Sequence, residues 1–98
     1  MNPATDRAKG KTLASLRGRR VRIAGTFERI SPRGHVLLRN VDTPAGYLSH
    51  LWIRFQEWRL PLPMPDDRVR FEATIQPYQR ARDNSWDLGP EDLREVSE

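Results

Sequence analysis

No cysteine occurs among the 98 residues. Its absence excludes disulfides, thiolate catalysis and most structural zinc sites, and two separated histidines do not complete a conventional metal cage with the ligands that remain. No stretch approaches the roughly 18–20 consecutive apolar residues that cross a bilayer, and residues 1–11 lack the apolar segment of a secretory signal. These absences lead us to expect an intracellular, cytoplasmic chain with no membrane partner. Neither a Gly-x-Gly-x-x-Gly nor a Walker pattern is present to cradle phosphate, and no pair of carboxylates stands at a recognisable catalytic spacing. His35 and His50 each sit at a strand entrance with no serine or cysteine nucleophile motif beside them. A chain of this length makes one domain with a modest core and no deep substrate cavity. The expectation is a binding module rather than an enzyme, holding neither cofactor nor metal.

Lysine is nearly absent as well. Only Lys9 and Lys11 occur, so arginine supplies fifteen of the seventeen basic side chains. A guanidinium binds phosphate bidentately and stacks on bases, which suits nucleic acid, although a GC-rich genome gives the same bias without functional meaning. The charges are also unevenly placed. Residues 1–39 carry ten basic and two acidic side chains, net +8, and residues 40–98 carry seven and eleven, net −4, which together make the overall +4. A basic half is the footprint of a polyanion binder or the solvated face of a strand.

Residues 1–18 are polar and small, with Gly10 interrupting any helix, and read as a flexible basic arm or short helix in which Leu13 and Leu16 can dock as one turn. From Arg19 the pattern alternates: Val21, Ile23, Gly25 and Phe27 share one face, and Arg20, Arg22, Ala24, Thr26 and Glu28 the other. Gly25, inside the strand, marks a bulge or bend. Ser31-Pro32-Arg33-Gly34 is turn chemistry, returning the chain as a second strand over 35–41. Thr43-Pro44-Ala45-Gly46 breaks it again, and Leu51, Ile53 and Phe55 alternate with Trp52, Arg54 and Gln56 in a third strand. Pro61, Pro63 and Pro65 then forbid a continuous helix and favour an extended, irregular connector over 57–65. Residues 68–78 form the clearest strand, with Val69, Phe71, Ala73 and Ile75 on one face. Residues 86–88 make a short fifth strand, and 90–96 either continue it or form a helical turn. The expected core is Val21, Ile23, Phe27, Leu37 or Leu38, Leu51, Ile53, Phe55, Val69, Phe71 and Ile75.

Five strands, a glycine-bent first strand, hairpins joining the first three and a distinct connector before the fourth resemble an OB-fold. The segment Asp66-Asp67-Arg68-Val69-Arg70-Phe71-Glu72-Ala73-Thr74-Ile75, with His50-Leu51-Trp52 and Trp86-Asp87-Leu88, is similar to small stand-alone OB-fold proteins of prokaryotes and their mobile elements. The resemblance covers residues 19–96 and implies an all-β, five-stranded Greek-key barrel with residues 1–18 as its arm. Two features depart from the pattern: a proline-rich stretch replaces the usual helix after the third strand, and the ending Asp92-Leu93-Arg94-Glu95-Val96-Ser97-Glu98 differs from the tip of bacterial single-strand-binding proteins.

The resemblance also implies where a ligand would lie. OB domains bind single strands with outward aromatic rings on the second and third strands, flanked by basic side chains. Trp52, between two core positions and beside Arg54, is the leading candidate for stacking. Its alternative is burial beneath the 57–65 connector or a partner subunit. Tyr47 is a second exposed ring, and Trp58 a cap on the barrel end. Arg20, Arg22, Arg33, Arg39 and Arg54 form a candidate phosphate track, and Arg80 and Arg82, with Tyr78 beside them, lie in the loop that closes over ligand in OB domains. Two functions follow: binding of single-stranded DNA or RNA with weak sequence preference, or docking of a protein partner through Trp52, Trp58 or the 57–65 connector.

Overall fold

A computed structural model of the chain describes residues 12–79 and 83–96. Five strands dominate it: β1 (Arg20–Ile30), β2 (His35–Thr43), β3 (Gly46–Arg54), β4 (Arg68–Gln79) and β5 (Trp86–Glu95). They form one antiparallel sheet in the order β3-β2-β1-β4-β5, curled into a half-barrel. β1 serves both halves: residues 20–26 pair with β4 and residues 24–30 with β2. The two sets overlap where the β1–β2 register slips between Ala24 and Thr26. Gly25 sits at that slip, and a Cβ there would lie 3.2 Å from side-chain atoms of both Leu38 and Val41. The bend expected at Gly25 is therefore also a place where β2 side chains crowd the β1 backbone.

Val21, Ile23, Phe27, Val36, Leu38, Val41, Leu48, Leu51, Ile53, Phe71, Ala73, Ile75 and Leu93 fill the concave side. Leu13 and Leu16 join them from a helical turn over residues 12–15, anchored where the Gly18 N–H donates to the Ile75 carbonyl at 2.7 Å. Trp58 closes the core from the connector, its ring edge-on to Phe71 with centroids 6.1 Å apart. The rest of the expected arm, residues 1–11, lies outside the described residues.

Two expectations for the core need amendment, and one alternative is decided. Phe55 is 43% exposed, because the chain leaves the strand at Arg54 and enters a single 3-10 turn, Phe55–Glu57, which ends the alternation. Val69 is only partly buried at the core margin. Leu38 is a core residue, whereas Leu37 is buried outside the core cluster. The fifth strand is also longer than its aromatic start suggests: β5 runs on through Pro90, opposite Ile75. An edge strand tolerates proline because one side of its backbone has no ladder partner to lose.

Side chains bridge β3 and β5 across the seam between the two edge strands. Arg54 donates to Glu91 Oε1 at 2.7 Å, and the Asp92 N–H donates to Glu57 Oε1 at 3.0 Å. Asp92 takes a left-handed backbone, φ 51°, beside the register slip in β4–β5. Its carboxylate accepts from Arg59 at 3.0 Å and Arg94 at 3.3 Å, with Arg20 3.7 Å away. The charge asymmetry of the sequence is thus folded against itself: acids of the C-terminal strand pair with arginines of β1 and β3 instead of lying apart from them. The Arg94 hydrogen bond, aided by the charges of Arg94, Arg59 and Arg20, holds the Asp92 carboxyl below its ordinary value of 3.8. A lowered folded pKa contributes stability above the unfolded value that is lost as pH falls through the folded one. Replacing Asp92 with asparagine, which also tolerates a positive φ, is expected to flatten the fall in melting temperature below about pH 4. An equally steep fall in the variant would show that the cluster adds nothing. Among the described residues no helix is long and apolar enough to cross a membrane.

Candidate functional site

The convex side of β2 and β3 carries the aromatic residue singled out by the sequence. Strand pairing sets Arg29 of β1 opposite Leu37 of β2, and Leu37 opposite Trp52 of β3, in one row across the sheet. Trp52 is 36% exposed, whereas Trp58, from the connector, is the tryptophan that goes inside. The Arg29 guanidinium stands 5.7 Å from the Trp52 ring centroid, and the His35 ring meets Trp52 edge-on at 6.4 Å. Beneath this group Leu37 is 3% exposed yet separate from the main core, an apolar floor on the opposite side of the sheet.

Arg29 and His35 are the residues that sequence reasoning missed. Strict alternation in β1 puts Arg29 on the same face as Val21, Ile23 and Phe27. A second register slip, between Phe27 and Arg29, turns it outward, since a shift of one residue exchanges the two faces of a strand. The only signal was a basic residue at a nominally apolar position.

The adjoining row contains Thr26, Arg39 and His50, and beyond it lie Asp42 and Tyr47. Tyr47 is well exposed, and its hydroxyl donates to Asn40 Oδ1 at 2.8 Å. Asn40 has a left-handed backbone, φ 50°, where the buried spacing of β2 changes from Val36 and Leu38 to Val41. Arg68 reaches across from β4 to hold this bend, donating to the Asn40 carbonyl and to Asp42 Oδ2. Tyr47 and Trp52 are five residues apart on β3, about 16 Å at the usual strand rise, so one base cannot touch both rings.

Two ion pairs flank the face. On one side Arg39 donates to Asp66 Oδ1, and on the other Arg54 pairs with Glu91. Arg54 also lies 4.4 Å from the Tyr78 ring centroid. The Tyr78 ring in turn rests on Gly89, where a Cβ would come within 2.9 Å of Tyr78 Cε1. Trp52, Arg54, Arg39, Tyr47 and Tyr78 are therefore brought to one side of the half-barrel or its margin.

The remaining candidates are placed elsewhere. Arg20 donates to Thr74 Oγ1 and to the Glu72 carbonyl, and Arg22 pairs with Glu72 at 3.2 Å. Both face β4 at the start of β1, far along that strand from Arg29. Arg33 is exposed in the turn closed by the Gly34 N–H donating to the Ser31 carbonyl. Arg80 and Arg82 lie outside the described residues. A ring over an apolar floor, with cations above it and at both margins, suits a flat, anionic ligand. Among the described residues no three His, Cys, Asp or Glu side chains are grouped to hold a metal ion. No protein-family model matches this chain, and neither a curated protein nor a solved structure is measurably similar to it.

Proposed function

We propose that this chain is an OB-fold module that binds single-stranded DNA or RNA across the convex side of β2 and β3, with no catalysis of its own. The observation that carries the reading is Trp52, held outside the core over Leu37 with Arg29 above its ring. Base stacking on such a ring is tolerant of sequence, because every base presents a π face. The OB reading is supported by the strand order β3-β2-β1-β4-β5, by a bent β1 shared between two neighbours, and by β3 and β5 meeting across the seam at Arg54 and Glu91.

Titration of a labelled oligothymidylate at about 50 to 200 mM salt tests the proposal. Three phosphates met by Arg29, Arg39 and Arg54, at about −0.7 each, give an expected slope near −2 in log K against log salt. Absence of binding, or a flat response, would reject it. The second reading is a protein-docking module. It is favoured by Phe55, Leu62 and Met64, which are 43%, 58% and 70% exposed on or beside the connector.

A further inference from the structure

We infer that Asp66 and Glu91 are built-in competitors for the phosphates of the ligand, holding Arg39 and Arg54 at the margins of the face until a polyanion displaces them. The inference rests on the single-strand reading above.

Asp66 carries the stronger part of the argument, because the fold around it does not need its carboxylate. The turn that leads into β4 is locked by the neighbouring residue: the Met64 N–H donates to Asp67 Oδ2 at 2.9 Å, and the Asp67 N–H to the Met64 carbonyl at 3.0 Å. The turn is tied to β1 through main-chain bonds, Asp66 N–H to the Phe27 carbonyl and Phe27 N–H to the Asp67 carbonyl, both 2.8 Å. The Asp66 side chain is 78% exposed and meets Arg39. Its backbone has φ 73°, a left-handed conformation that an L-residue adopts at some cost. An aspartate there sets a negative charge beside an arginine of the convex face at a position where glycine would be easier.

Glu91 does the same on the opposite side. It projects from β5, opposite Thr74, to Arg54, the cation that already covers Tyr78. A phosphate arriving at either arginine exchanges one anionic partner for another, so the gain from charge is reduced by whatever the internal pair contributed. For the exposed Arg39–Asp66 pair that contribution is about twofold to fivefold in an equilibrium constant; the Arg54–Glu91 pair is part-buried at the seam.

A double-mutant cycle on the full chain tests this, with the affinity of labelled oligothymidylate as the readout. Asp66→Asn is expected to tighten binding about twofold to fivefold when Arg39 is present, and to change nothing in an Arg39→Ala background. Asp66→Gly, which also relieves the left-handed backbone, should show the same gain and the same dependence on Arg39. Glu91→Gln should behave likewise toward Arg54→Ala. Equal gains with and without the arginine would mean that removing any negative charge suffices, and would overturn the inference. So would no gain in either background. If neither the unsubstituted chain nor any variant binds the oligonucleotide, the single-strand reading itself fails and the inference with it.

Discussion

Phe71→Ala is expected to lower the free energy of unfolding by about 3–5 kcal/mol, the usual loss when a fully buried phenylalanine is truncated. Phe71 is 0% exposed in the first half of β4, and it is the residue against which Trp58 closes the core. Truncation removes its own burial and leaves the Trp58 ring without its edge-on partner, so the connector cannot collapse inward without moving a second large side chain. At roughly 4–8 °C per kcal/mol for a domain of this size, the melting temperature should fall by more than about 12 °C. Small domains have only about 5–15 kcal/mol in total, so the loss is a large fraction of the whole. Phe55→Ala is the paired control. Phe55 is the same residue type at 43% exposure, and its substitution should cost far less. Urea unfolding of both variants checks the difference, and comparable losses would contradict the core described here.

Much of that core is readable from alternation alone. Val21 and Ile23 in β1, and Phe71 and Ala73 in β4, keep period two without interruption, because these stretches pair with each other in one unbroken register from Arg20 opposite Thr74 to Thr26 opposite Arg68. Legibility ends wherever the ladder slips. Leu37 cannot be separated from Leu38 in the sequence, since both are leucines and only the pairing with β3, Leu37 opposite Trp52 and Leu38 opposite Leu51, shows which side each takes. The bend at Asn40 depends on Arg68, a residue of another strand, reaching its carbonyl. The alternation of β3 extends in sequence through Phe55, but the strand ends at Arg54, where no local signal announces the 3-10 turn.

The site follows the same rule. Trp52 is legible because it stands between Leu51 and Ile53, whose side chains are 1% and 0% exposed. Its companions are not, since Arg29 and His35 reach it through a register slip and a strand pairing. Nor do the partners of the arginines follow from composition. The sequence shows a basic first half and an acidic end, but only the fold brings Asp66 to Arg39, Glu91 to Arg54 and Asp92 to Arg20. Counting charge along the chain therefore overstates how much free positive charge the folded surface offers.

Trp52→Ala should lower single-strand affinity by ~1–3 kcal/mol, roughly fivefold to 150-fold, while leaving the fold in place. The ring is outside the core cluster, so its removal makes no cavity among the residues that hold the sheet together. It does uncover Leu37 and release Arg29 from its place over the indole, and a small drop in melting temperature, well below that of Phe71→Ala, is the expected consequence. Trp52→Phe keeps an aromatic surface and should recover part of the lost affinity, whereas Trp52→Leu keeps apolar bulk without the π face and should not. Fluorescence gives a second measure, provided the other tryptophans are separated. Trp86 is 69% exposed and would respond to any nearby ligand, so the experiment belongs in a Trp86→Phe background, where Trp58 is buried and Trp52 is the accessible reporter. Quenching on addition of oligothymidylate, absent after Trp52→Ala, places the base against this ring. A stable Trp52→Ala chain with undiminished affinity would defeat stacking at Trp52, and one that loses a co-purifying protein would identify the same ring as the anchor of a protein interface.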